Sequence, residues 1–167
     1  MTESTQSVAN LGSLSKDARV WVFQSSELLV GDVREDIKRT LTSFLKEWAA
    51  HGQSLFAAFE IRYDRFIIVG VDEAKAQATG CSIDKLMKTI QAIDKKFDID
   101  LLDRMKVAFR DGEDILELDV NTFAQMLADG RADEKTIVFN NVVQTVGELE
   151  TDWETTVKQS WHNNLFP

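Results

Sequence analysis

Proline is almost missing from this chain: of 167 residues one is Pro, and it is the last. Cysteine and tyrosine occur once each, histidine twice and glycine eight times. So little Pro and Gly excludes the long flexible or semi-rigid linkers that join separate domains. A lone Cys forms no internal disulfide, which excludes the stapled scaffolds of small secreted proteins. Without a C-x-x-C pair or a His pair at helical spacing there is no zinc-ligand pattern either. Asp98-Ile99-Asp100 lacks the Gly and distal Glu of a calcium loop, so no metal and no cofactor is expected. No apolar run approaches the roughly 18 residues of a membrane-spanning helix. The first fifteen residues have neither the basic stretch nor the apolar stretch of a secretion signal, so the expected location is cytoplasmic.

The chain has 44% hydrophobic residues, with ten Phe and four Trp to fill a core, and a formal net charge of −9. That size and composition suit one globular domain. The acidic balance argues against nucleic acid or anionic lipid as partner, because non-specific attraction to either needs clustered Lys and Arg. The expected division is a loosely ordered, Ser/Thr-rich segment 1–16 and a single α+β domain over 17–167.

Arg19 to Gln24 is a short β-branched and aromatic run that reads as a buried strand. Asp32 and Glu35 suggest a capping box, followed by Val33, Ile37, Leu41, Phe44, Leu45 and Trp48 at helical spacing, with Gly52 as the stop. From Leu55 the period becomes two, and 55–71 reads as a hairpin turning near Asp64. A second helix is predicted from about Ser82, with Ile83, Leu86, Met87, Ile90, Ile93 and Phe97 on its buried stripe. Strands over 104–110 and 115–118 around Asp111-Gly112, a short helix 122–128 ending at Gly130, and a strand-like run 136–143 follow. Trp153, Trp161, Leu165 and Phe166 are costly to leave in water, so the tail is predicted to fold back, in a monomer or across a homodimer. This order matches an antiparallel sheet with two main helices on one face: a ferredoxin-like βαββαβ core with an extra C-terminal strand, a short helix and a packed tail.

Several segments, among them Phe59-Glu60-Ile61-Arg62-Tyr63-Asp64-Arg65-Phe66, Gly80-Cys81-Ser82-Ile83-Asp84, Val138-Phe139-Asn140-Asn141 and Ser160-Trp161-His162, carry a resemblance. From about Ala18 onward the chain resembles a family of small uncharacterised bacterial proteins commonly labelled "ABC transporter ATPase". The resemblance implies no particular activity, and the label fails on the residues. A phosphate-binding loop of that class ends in Gly-Lys-Ser/Thr, whereas no Gly of this chain is followed by Lys. The expectation is therefore not a working ATPase but a non-catalytic binding protein.

Two places are candidates for its chemistry. Cys81 sits at a predicted helix N-terminus, where dipole and free N–H groups favour a thiolate. One reading is a cysteine-dependent enzyme, which needs His51 or His162 as a base, or a redox-sensitive protein, which does not; the plainer one is a small buried packing residue. Thr79, Gly80 and Ser82 at the same turn either bind an anion or simply cap the helix. Alternation along the strands puts Arg62, Arg104, Lys106 and Arg110 on an open sheet face beside Glu60. There they would meet an acidic protein segment, a small anionic ligand or the chain's own acidic tail, or pair with neighbouring carboxylates.

Overall fold

The structure, a computed structural model, describes residues 10–50, 52–74 and 76–167. The expected α+β class is what the chain adopts, with every strand pairing antiparallel. Strand β1 (Arg19–Gln24) leads into helix α1 (Gly31–Glu47). A two-residue hairpin, β2 (Ala49–Ala50) and β3 (Gln53–Ser54), comes before β4 (Phe56–Arg62), β5 (Phe66–Asp72) and helix α2 (Gly80–Phe97). Then come β6 (Lys106–Asp111), β7 (Asp114–Asp119), helix α3 (Val120–Asp129), β8 (Ile137–Phe139), helix α4 (Val146–Thr151) and β9 (Glu154–Thr156). Among the described residues no helix is long and apolar enough to cross a membrane.

Local chemistry explains most boundaries. Thr79 and Ser82 form a reciprocal capping box at α2, and Gly130 closes α3 in the left-handed region at φ 76°. Gly112 supplies the positive φ that the tight β6–β7 turn requires. The expected capping box of α1 does not form: its N-cap is Val30, with no side-chain bond, and Asp32 lies in the first turn. That helix also stops at Glu47 rather than at Gly52, because Trp48 turns into the core, where its indole N–H donates to the Ser82 carbonyl at 2.8 Å.

One sheet was expected; among the described residues the longer strands form two, beside the small β2-β3 pair. The first has the order β1-β5-β4 and the second β7-β6-β8-β9. The strand predicted over 104–110 thus leaves the first sheet and builds the second. The reason lies in β5, where Phe66 to Val71 are all buried, so the first sheet has no solvent face. Helices α1 and α2 cover one side through Ile37, Leu41, Leu45, Leu86, Ile90 and Ile93, packed on Phe23, Ile61, Ile67 and Val69. The other side, with Val20, Ala58, Phe66 and Ile68, packs on Ala108, Phe139, Leu149 and Trp153. The second sheet buries Val107, Phe109 and Val138 under α3 and the C-terminal turns, with Phe123, Leu127 and Val157. The result is four layers: helices, sheet, sheet, then helix and tail.

The segment before β1 also departs from expectation. Leu11 and Leu14 are buried against Gly70, where an added Cβ would stand 2.8 Å from a methyl of each. Residues 10–16 are thus packed into the domain, and the rest of the predicted loose segment, 1–9, lies outside the described residues. The tail folds back, but of the two tryptophans expected to be largely buried only Trp153 is so, and Trp161 is half-buried.

Candidate functional site

The sheet face expected to be open is closed by the second sheet, and its four cations are divided. Arg62 in β4 pairs with Glu60 at 2.7 Å and lies over the Trp153 ring at 5.4 Å. Arg110 in β6 is bonded to Glu154 and lies over the Tyr63 ring at 4.9 Å. Tyr63 stacks on Trp153 at 5.9 Å and donates its hydroxyl to Glu154 at 2.9 Å. Its backbone is held at φ 55° in the β4–β5 turn, with Asp64 at 53°. These residues are consumed in joining the two sheets. A chain of amides does the same deeper in. Trp153 Nε1 donates to Asn141 Oδ1, Asn141 Nδ2 to Gln24 Oε1, and Gln24 Nε2 to Glu117 Oε2, at 2.9, 2.9 and 2.6 Å.

The second candidate is also accounted for. Ser82, almost wholly buried, accepts from the Thr79 N–H at 2.7 Å and donates to the Thr79 carbonyl at 2.9 Å, while Thr79 Oγ1 accepts from the Ser82 N–H. Thr79, Gly80 and Ser82 therefore act as a cap. The packing role foreseen for Cys81 is corrected: its side chain is exposed, and Ser82 takes the buried position beside it. Among the described residues no hydrogen bond joins Cys81 to a base. His162 instead bonds Ser160 Oγ through Nδ1 at 2.7 Å and packs edge-on to Phe123. His51 lies outside the described residues. Among the described residues no cluster of His, Cys, Asp and Glu is placed to hold a metal.

Arg104 and Lys106 go elsewhere, and there they meet a feature that the sequence reading missed. A cleft of about 670 Å³ runs beside the outer edge of β1. One wall is β1 itself, Arg19 to Gln24. The lining also takes in Leu101, Leu102 and Arg104 of the α2–β6 connection, Lys106 at the start of β6 and Met87 of α2. Asn141 to Thr145, Trp161 and His162 close it from the second sheet and tail. Arg19, stacked over Trp21 at 4.9 Å, adds a third cation.

None of Arg19, Arg104 and Lys106 forms an ion pair among the described residues. Of the carboxylates on the same rim, Glu73 accepts from the Ala78 N–H at 2.9 Å and Asp103 from the Met105 N–H at 2.8 Å, and Asp17 completes the set. Burial pushes the His162 imidazole down to about 4, so at neutral pH it adds no charge. The cleft thus combines three cations that form no ion pair among the described residues with aromatic and amide side chains locked by their neighbours. Such a surface can orient and hold an anionic ligand. Comparison of the chain with protein-family models, with curated proteins and with solved structures finds no match.

Proposed function

We propose that this protein is a non-catalytic, cytoplasmic binding protein that holds an anionic partner in the cleft beside β1. The observation that carries this reading is the set of three cations without ion-pair partners among the described residues, Arg19, Arg104 and Lys106, lining a concave site in a chain of net charge −9. What sets these three apart is that they line one concave site together, whereas Arg62 and Arg110 are tied to Glu60 and Glu154 between the sheets. The cleft volume lies within the usual range of ligand sites. The ferredoxin-like plan is part of the proposal. The first sheet with α1 and α2 supplies three strands of that plait, and the cleft occupies the place beside β1 where a fourth would pair. ATP turnover is no part of this reading, since no turn of the chain offers a Gly-Lys phosphate loop.

The test uses Trp21 and Trp161, which line the cleft, while Trp48 and Trp153 are buried elsewhere. Acidic peptides and small di- and tricarboxylates are titrated while tryptophan emission is followed. At least one class is expected to bind saturably, and the double variant Arg104→Glu, Lys106→Glu to weaken it tenfold or more, with an unchanged melting temperature. Affinity that the double reversal leaves intact, or no saturable change with any compound, would refute the reading.

A further inference from the structure

We infer that the cleft takes an extended, acidic peptide segment of a partner protein, added as a strand to the free edge of β1. The inference rests on reading the cleft as a binding site and deepens it by naming the ligand class.

The backbone of β1 carries the argument. In an antiparallel pair, alternate residues bond to the partner strand and the others turn their N–H and C=O away. In β1 the outward residues are fixed by two bonds: the Val20 N–H donates to the Gln144 carbonyl at 3.0 Å, and the Val146 N–H to the Ala18 carbonyl at 2.9 Å. Arg19, Trp21 and Phe23 therefore bond to Val71, Val69 and Ile67 of β5, while Val22 and Gln24 present both their backbone groups to the cleft. Among the described residues neither has a backbone partner there. Past Gln24 the edge is closed again, by the Ser26 N–H donating to the Ile99 carbonyl at 2.8 Å. The gap is thus a short stretch of unpaired edge walled on both sides.

An unpaired edge is a template for another strand, and proteins normally blunt or cover such edges. Here no Pro, bulge or inward Lys on β1 does so. The backbone groups of Val22 and Gln24 repeat every two residues, about 6.8 Å in an extended chain. A compact anion meets one such group at a time, whereas a peptide strand matches the whole row. Charge selects the side chains. Of the lining carboxylates Glu73 and Asp103 are already held by backbone N–H groups, so Arg19, Arg104 and Lys106 are left to meet carboxylates of the peptide, and Trp21, Met87 and the exposed Val142 offer apolar contacts. A strand with acidic and apolar residues in alternation satisfies both.

The probe is obtained from a displayed library of random linear decapeptides selected against the immobilised full chain, then synthesised and titrated into isotopically labelled protein. Selected peptides are expected to alternate acidic and apolar residues, and to shift and protect the Val22 and Gln24 amides. A single backbone N-methyl group should weaken binding about tenfold at the two alternate peptide positions whose amides face Val22 and Gln24, and less than twofold at the position between them and elsewhere. Equal sensitivity at all positions, with binding still lost on Arg104→Glu, Lys106→Glu, would overturn strand addition and leave the anionic cleft standing. No selected binder, or binders that leave Val22 and Gln24 unshifted, would overturn it too. Binders indifferent to the charge reversal as well would remove both readings. Val22 and Gln24 amides protected in a peptide-free dimer would mean that a second copy of this chain holds the edge, and would equally overturn the proposal.

Discussion

A chain ending at Gly147 is expected to show no cooperative thermal transition. The residues removed are not an appendage. Trp153 is 1% exposed and fills the space between the sheets, with its ring 4.9 Å from Phe66 and 5.0 Å from Phe139. Strand β9 pairs with the outer side of β8, setting Phe139 against Glu154 and Ile137 against Thr156. Leu149 and Val157 are buried in two different clusters. Glu154 anchors both Arg110 and Tyr63. Deleting one large core side chain costs about 2–5 kcal/mol, and a domain of this size has roughly 5–15 kcal/mol in total. Losing Leu149, Trp153 and Val157 together exhausts that margin before the strand pairing is counted. Calorimetry or circular dichroism on the truncated chain checks this. A melt like that of the full chain would contradict the four-layer arrangement.

The second large effect is a loss of stability between pH 6.5 and pH 4, set by His162. This side chain is 1% exposed, bonded to Ser160 and stacked against Trp161 at 3.9 Å, and burial lowers it from 6.5 to about 4. In that window the unfolded chain binds a proton that the folded one refuses, so stability falls as pH falls. The stabilisation is complete above pH 6.5 and gone below about 4. A gap of that size corresponds to about 3 kcal/mol. The shifted carboxylates Asp36 and Asp129 have ordinary values of 3.8, lowered further by Lys96 and by Gln125, so they titrate below this window. Urea unfolding at pH 7, 5.5 and 4 should show the drop in the native chain. His162→Asn should be less stable at pH 7, because ring packing is lost, but nearly flat across the window. An equal drop in the variant would assign the effect to other groups.

How far the sequence spoke depends on whether a feature is local. Ile37, Leu41 and Leu45 repeat at helical spacing, and a short-range period of that kind needs no knowledge of the rest of the chain. The hairpin from Phe56 to Asp72 was legible for the same reason. The burial of Cys81 was misread although the signal was present. Ser82, Leu86, Ile90 and Ile93 form the buried stripe of α2, and Cys81 falls outside it. The open basic face failed for a non-local reason. Arg62 and Arg110 alternate correctly along their strands, but the two strands belong to different sheets, a matter of pairing between residues far apart in sequence. Phe66 to Val71 did announce that both faces of the first sheet needed cover, and Leu11 and Leu14 were the cover hidden in a polar segment. The cleft was beyond reach altogether. A free strand edge has no residue signature, since it is defined by which strand does not pair there.

The central claim is that β1 offers an unpaired edge, and amide hydrogen exchange of the ligand-free protein tests it most directly. Protection along β1 should alternate. The Trp21 and Phe23 amides, bonded to β5, and the Val20 amide, bonded to Gln144, should exchange slowly, while those of Val22 and Gln24 exchange at least a hundredfold faster. Uniformly slow exchange from Val20 to Gln24 would mean that the edge is already occupied, and would contradict the account.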